Sequence, residues 1–224
     1  MEVIITTTPT PFNGDYYVGS EIRYLACLHG IQTIIETGTW AAHSSREFAK
    51  MVKRVITIDV THEHLLAEFG PNAVEDLLKL NVVALLGNSR DIMGKVLRDL
   101  PDEQHPVLCY LDAHGVGNPL LEDLASMAAD PRCHDRAVVV VHDIQVPGKP
   151  WGYNWVDYGR GAEPISYSVV AESLPAIWPR GHCFYYNEEA AGCHRGVLYL
   201  HPRLYCSAGG DGCHRRAIPL PPRL

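Results

Sequence analysis

Short runs of apolar, β-branched residues alternate with longer stretches of helical spacing between residues 31 and 143. Each run is closed by a punctuating polar residue or glycine, and the five predicted strands are 32–37, 54–59, 81–86, 106–112 and 137–143. Such alternation is typical of βαβ units that build a parallel sheet. The last run is almost continuously apolar, which indicates a strand buried on both faces.

The segments between these runs carry apolar residues at the spacing of helices. The predicted helices are 41–52, 65–78 with a break near Gly70-Pro71, 92–100, 120–129 and, after the fifth strand, 165–178. Two final runs, 183–186 and 196–201, are separated by a polar stretch and predict a terminal hairpin. The pattern therefore predicts an α/β fold.

The length of 224 residues favours one elaborated domain, which we assign to residues 1–202. Residues 144–164 are rich in glycine and aromatic residues and predict a long loop, either a substrate lid or a packing or oligomer contact. Residues 203–224 are rich in Gly, Pro and Arg and predict a flexible tail.

Composition narrows the classes of function. A net charge of −7 and a pI near 5.9 argue against a nucleic-acid-coating surface. No apolar run approaches the roughly 20 residues of a membrane helix, and no secretory signal is visible. The 7 cysteines show no CxxC spacing. We therefore expect reduced cysteines, no structural zinc site and a cytoplasmic protein that binds neither nucleic acid nor membrane.

Polar residues cluster where the predicted strands end, and ligands of open parallel sheets bind beyond these carboxyl ends. Asp59 ends the second strand, where a carboxylate can bind the two hydroxyls of a ribose. Gly38 follows the first strand and would let backbone approach such a ligand. The chain contains neither GxGxxG nor GxxxxGK[ST], which excludes the common dinucleotide and P-loop patterns.

Five segments follow one another at the ends of successive predicted strands: Ile35 to Trp40, Val55 to Asp59, Gly87 to Ser89, Leu111 to His114 and Val141 to Asp143. In this order the chain resembles the class I S-adenosylmethionine-dependent methyltransferases over residues 30–201. It is most similar to the small-molecule O-methyltransferases related to macrocin methyltransferases and cephalosporin hydroxylases, which share an ETGT-type first motif. After Gly38 it departs from the commoner ExGxGxG form.

The resemblance implies a Rossmann-like, seven-stranded, mostly parallel sheet with an antiparallel C-terminal hairpin and helices on both faces. It implies S-adenosylmethionine as cofactor, with the first motif near its methionine part, Asp59 on the ribose and residues 89–91 near the adenine. The implied cofactor-binding residues are Glu36, Gly38, Thr39, Asp59, Asn88, Ser89 and Asp112.

A second group of polar residues, at the ends of the fourth and fifth strands, would meet near the transferred methyl. Asp112, His142 and Asp143 offer oxygen and imidazole ligands that suit Mg²⁺ or another divalent ion. Related sugar and antibiotic enzymes are similar in using carboxylates here, although His142 stands where an acidic residue is expected. Without a metal, His114 or His142 could act as general base, with Asp112 as a further catalytic residue. Alternatively, the two aspartates only cap helices.

The sequence thus predicts methyl transfer to a hydroxyl of a small molecule, such as a sugar or natural product, with divalent metal assistance. A homo-oligomeric state is compatible with it. Two other classes stay open. One is a metal-dependent enzyme of another reaction class, since a fold does not fix a reaction. The other is a non-catalytic interaction module that has lost cofactor binding.

Overall fold

A seven-stranded sheet forms the centre of the protein. The structure is a computed structural model that describes residues 10–113, 119–149, 165–187 and 196–203. The strands are β1 (Thr33–Thr37), β2 (Arg54–Asp59), β3 (Val82–Leu86), β4 (Val107–Leu111), β5 (Val138–His142), β6 (His182–Tyr186) and β7 (Val197–Pro202). All seven runs predicted from the sequence are strands, with bounds shifted by at most one residue.

Helices cover both faces of the sheet. They are α1 (Tyr16–Leu28), α2 (His43–Phe48), α3 (Glu63–Phe69), α4 (Ala73–Lys79), α5 (Ser89–Asp99), α6 (Leu120–Ala128), α7 (Tyr167–Ala171) and α8 (Leu174–Ile177). Short 3₁₀ turns occupy Pro11–Gly14 and Asp102–Gln104. The break predicted near Gly70-Pro71 separates α3 from α4.

The strand order is β3-β2-β1-β4-β5-β7-β6. The first five strands in this order are parallel, and β7 runs antiparallel to both of its neighbours, β5 and β6. The order reverses between β1 and β4, which opens a crevice at their carboxyl ends. This arrangement confirms the predicted mostly parallel, Rossmann-like sheet with an antiparallel C-terminal hairpin.

Side chains of the strands alternate between two apolar layers. On β1, Ile34 belongs to the layer beneath α1 to α4, whereas Ile35 belongs to the layer beneath α5 to α8, and both are fully buried. Trp178 completes the second layer and donates its indole N–H to the Ala137 carbonyl at 3.0 Å. The two layers hold the strands rigidly, so the polar residues at the strand ends stand on a fixed frame.

Some local predictions were wrong. Helix α1 was not predicted, and the helix expected over 41–52 shortens to α2 because the chain first turns through a left-handed conformation at Ala42. The segment 165–178 forms two short helices instead of one. Cys183 is disulfide-bonded, which corrects the expectation of reduced thiols for that residue, since spacing along a chain does not reveal which thiols meet in the fold.

No helix in the described ranges is long and apolar enough to cross a membrane. Most of the predicted loop 144–164, from residue 150 onwards, lies outside the described residues. The predicted tail also lies outside the described residues, apart from residue 203. Their proposed roles therefore stay predictions.

Candidate active site at the carboxyl edge of the sheet

The loop after β1 adopts an unusual backbone conformation. Gly38, Trp40 and Ala42 have φ angles of 89°, 47° and 58°. L-residues rarely adopt positive φ, and such residues cluster at functional sites. Trp40 and Ala42 stand where the ExGxGxG form has its second and third glycines. The left-handed loop, residues 38–42, thus combines a glycine-type backbone with an exposed indole that stacks on His64 at 3.8 Å.

Gly38 is required by the packing of two strand ends. A Cβ on Gly38 would lie 2.5 Å from the carbonyl oxygen of Asp112. The Gly38 N–H donates to the Ile58 carbonyl at 2.8 Å, and the Asp112 N–H donates to the Thr37 carbonyl at 3.0 Å. The close backbone approach that Gly38 permits in this structure is therefore the one between the ends of β1 and β4.

Glu36 lies fully buried on β1. Its two carboxyl oxygens accept hydrogen bonds from the hydroxyls of Ser44 and Ser45. Burial raises the pKa of Glu36 to about 7, against the opposing effect of these hydrogen bonds and that of Thr57. Beside it, the hydroxyls of Thr39 and Thr57 lie 2.7 Å apart in a hydrogen bond. Glu36 thus ties α2 to β1, and a direct contact of Glu36 or Thr39 with a cofactor stays a prediction.

Asp59 ends β2 and shapes the turn around it. It accepts hydrogen bonds from the backbone N–H of Trp40 at 2.9 Å and of Thr61 at 3.2 Å, one on each oxygen. Each carboxylate oxygen keeps a further acceptor site, so a ribose diol can still bind. Val60 and Leu86, at the ends of β2 and β3, are each 65% exposed. The edge therefore presents a carboxylate beside two uncovered apolar side chains.

The residues predicted at the start of α5 have structural partners. Asn88 caps α5 and accepts from the Arg90 N–H at 3.2 Å. Ser89 donates its hydroxyl to Asp123 on α6 at 2.9 Å. Burial raises the pKa of Asp123 to about 7. These contacts fix α5 against α6, and adenine contacts from Asn88 or Ser89 stay predictions.

Asp112, His142 and Asp143 meet at the ends of β4 and β5, as the sequence predicted. The Nδ1 atom of His142 lies 2.9 Å from an oxygen of Asp112 and 3.2 Å from an oxygen of Asp143. His142 and Asp143 are 3% and 0% exposed. Burial alone would lower the pKa of His142, but the two carboxylates together raise it well above its usual value. We call these residues the carboxylate–histidine trio.

The trio fits a divalent ion. Its ligand atoms all lie within 4.8 Å of one another. The two separations from Nδ1 are those of hydrogen bonds to a protonated ring, and they are also close to the roughly 3.0 Å between neighbouring ligand atoms around an octahedral ion whose ligands lie at about 2.1 Å. The imidazole would bind the ion in its neutral form. Helix α6 has Pro119 as its N-cap, so Asp112 is not its cap.

Residues that the sequence analysis missed also border the trio. Asp15 caps α1, accepts from the amide of Asn187 at 2.8 Å, and lies close enough to His142 for their charges to interact. Asp15 stands directly before a stretch with apolar residues at helical spacing, a pattern from which the N-cap of α1 could have been predicted. Asp123 is the second omission, an acidic residue on the buried face of α6. His114 lies outside the described residues, and its role as a base stays a prediction.

The sheet order and the polar groups at its carboxyl edge define the class of structure: a Rossmann-like methyltransferase fold. No protein-family model matches the sequence, and no curated protein matches it. The chain is similar to the crystal structure of an O-methyltransferase from Bacillus cereus in complex with SAH, with 18% identity, coverage of 83% of this chain and 80% of that chain, and a TM-score of 0.54.

It is also similar to the O-methyltransferase TomG from Streptomyces achromogenes, involved in tomaymycin synthesis and crystallised with SAM. The identity is 20%, the coverage is 83% of this chain and 79% of that chain, and the TM-score is 0.51. At these identities the likeness establishes the fold.

Proposed function

We propose that this protein is an S-adenosylmethionine-dependent O-methyltransferase that methylates a hydroxyl of a small molecule with help from a divalent metal. The observation that carries the proposal is the arrangement along one edge of the sheet. Asp59 and the left-handed loop lie at the ends of β2 and β1, and the carboxylate–histidine trio lies at the adjacent ends of β4 and β5. The similar structures with SAH and SAM support the same assignment.

Three features of this edge suit the cofactor. Asp59 would accept hydrogen bonds from the ribose hydroxyls, and the uncovered side chains of Val60 and Leu86 would pack against the flat adenine. The left-handed loop would enclose the methionine part. When bound, the cofactor supplies an electrophilic methyl group on sulfonium sulfur. The part of the protein is to hold that methyl in line with the acceptor oxygen at reactive distance.

The trio would hold the metal ion and orient the acceptor beside it. A bound divalent ion lowers the pKa of a coordinated hydroxyl and so supplies a better nucleophile. Asp112 and Asp143 hold His142 in one ring orientation through contacts to the same nitrogen. Both carboxylates favour the protonated ring, which has no free lone pair on that nitrogen to accept a substrate proton. The same proton would have to leave before His142 bound an ion, so a ligand role for His142 is supported by its closeness to Asp112 and Asp143 and not by its protonation state.

The test is turnover. The protein is incubated with S-adenosylmethionine and a panel of catechols, sugars and polyketide-type phenols, with Mg²⁺ or with EDTA, and products are detected by mass spectrometry. We expect a mass gain of one methyl group on a hydroxyl acceptor, abolished by EDTA and by Asp112→Asn. Asp99→Asn, an exposed residue of α5, is the matched control and should keep full turnover. Full turnover of Asp112→Asn would refute the proposed metal role.

A metal-dependent enzyme of another reaction class is the second candidate, because the trio could bind an ion whether or not a nucleotide-like cofactor binds at Asp59. It is favoured if Mn²⁺ binds and SAH does not. Cytoplasmic location and a homo-oligomeric state stay predictions from the sequence.

A further inference from the structure

A small pocket lies between the ends of β4 and β5 and the start of α6. Its free space is about 10 Å³, the room that one water molecule needs. Six of its lining residues are apolar, and the four polar ones are Thr37, Asp112, Asp123 and His142. The pocket therefore adjoins the trio and extends from it towards α6. We call it the Asp123 pocket.

Asp123 has an unused hydrogen-bonding position in this pocket. Its residue is 0% exposed, and its Oδ2 atom accepts the hydroxyl of Ser89 at 2.9 Å. Its Oδ1 atom has no hydrogen-bond partner, and neither has the hydroxyl of Thr37, which lines the same pocket. Buried polar atoms are nearly always paired in native proteins, so two unpaired atoms in one pocket indicate a hydrogen-bonding group the size of one water molecule, either water itself or an ammonium or hydroxyl group that displaces it.

The charge of the pocket limits what that group can be. Asp112 and Asp123 face it, and none of the described residues that line it is a lysine or an arginine. Among the described residues that line the pocket, only His142 can carry a positive charge, and its ring already contacts Asp112 and Asp143. A divalent ion at the trio would take up Asp112, so Asp123 is the carboxyl group left for a substituent in this pocket. An ammonium or a hydroxyl would find an acceptor at Asp123, whereas an anionic substituent would meet a like charge there.

Burial raises the pKa of Asp123 to about 7, although the hydrogen bond from Ser89 and the charge of Arg90 act in the opposite direction. The charged form of Asp123 is therefore only partly compensated by the protein. A hydrogen-bond donor or a cation next to Oδ1 would supply that compensation.

We propose that Asp123 is a specificity-determining residue that accepts a hydrogen bond from an ammonium or hydroxyl substituent of the methyl acceptor. The pocket then selects amine-bearing or hydroxyl-rich acceptors, such as amino sugars, and rejects anionic ones. The identification of the ligand as the methyl acceptor rests on the proposed function. The preference of the pocket for hydrogen-bond donors does not rest on the proposed function, because a fragment can bind there without the cofactor.

The experiment measures binding of three matched fragments to the protein without cofactor, by ligand-observed NMR. The fragments are benzylamine, benzyl alcohol and benzoate, which differ only in the charge and donor character of one group. We expect the affinity to fall in that order. Asp123→Asn, which keeps the size of the side chain, should weaken benzylamine at least tenfold and abolish its advantage over benzyl alcohol.

Glu122→Gln is the matched control. Glu122 is the neighbour of Asp123 on α6, its side chain is 40% exposed, and it pairs with Arg90 at the surface. The variant removes a charge of the same sign from a residue that does not line the pocket and acts on Asp123 only through space, and we expect benzylamine affinity within twofold of the wild type. A purely structural role of Asp123 as the partner of Ser89 would leave the fragment ranking unchanged in Asp123→Asn.

Three outcomes overturn the proposal: benzoate binding as well as benzylamine, no binding of any fragment, or equal losses in Asp123→Asn and Glu122→Gln. If Asp123→Asn does not fold, the wild-type ranking still decides. Titration of SAH into the wild type reports separately on the proposed function, so the two failures are distinguishable.

Discussion

Replacement of Gly38 by alanine tests the backbone contact between the left-handed loop after β1 and Asp112 of the carboxylate–histidine trio. Gly38 has a φ of 89°, and its added Cβ would lie 2.5 Å from the carbonyl oxygen and 2.9 Å from the carbonyl carbon of Asp112. Both atoms belong to the backbone of β4's end, which cannot rotate away as a side chain can. The variant must therefore separate the end of β1 from the residue that carries one ligand of the trio.

The magnitude has two parts. An L-residue in the left-handed region costs about 1–2 kcal/mol, and forcing an extra carbon into a packed site costs about 1–3 kcal/mol more. Gly30 isolates the first part, because its φ is 61° and an added Cβ would meet nothing within 4 Å. We expect Gly30→Ala to lose about 1–2 kcal/mol of unfolding free energy and Gly38→Ala to lose about 2–5 kcal/mol.

Urea unfolding of both variants and the wild type measures these values, and Mn²⁺ titration of the folded variants measures the site. Gly38→Ala should also bind Mn²⁺ more weakly than Gly30→Ala, since Asp112 moves with its backbone. Equal stability losses in the two variants would refute the backbone contact between Gly38 and Asp112.

Three further predictions follow from single residues. Asp112→Asn should weaken Mn²⁺ binding at least tenfold by calorimetry, with Asp99→Asn unchanged; equal affinities would exclude the trio as the ion site. Burial raises the pKa of Glu36 from 4.5 to about 7, so the folded protein keeps a proton that the unfolded chain has lost in this range. Stability should therefore be full below pH 4.5 and fall on the order of 3 kcal/mol as the pH rises to 7, with this fall absent in Glu36→Gln; parallel profiles would contradict it. Burial lowers the pKa of His29 from 6.5 to about 4, so the unfolded chain binds the proton first as the pH falls. Stability should be full above pH 6.5 and decline towards pH 4, less steeply in His29→Gln, as urea midpoints would show; an equally steep decline would oppose the burial argument.

Strands β4 and β5 were predictable because they are buried on both faces and therefore have continuous apolar runs in the sequence. β5, with four consecutive valines, is the clearest case. The meeting of Asp112 with His142 and Asp143 followed from the same logic, since neighbouring parallel strands bring their ends together. These predictions depend on local composition and on one topological rule.

Contacts between distant segments could not be predicted in this way. Ser44 and Ser45 lie in the first turn of α2, yet their hydroxyls donate to Glu36 on β1. The left-handed conformation of Trp40 and Ala42 has no local signal, because neither residue favours positive φ. Both features arise from tertiary packing that overrides local preference.

Calorimetric titration of SAH tests most directly whether the carboxyl edge of the sheet beside Asp59 binds S-adenosylmethionine. We predict micromolar affinity for the wild type and for Asp99→Ala, an exposed acidic control on α5, and loss of binding in Asp59→Ala. Absence of SAH binding by the wild type, with or without Mg²⁺, would contradict the account.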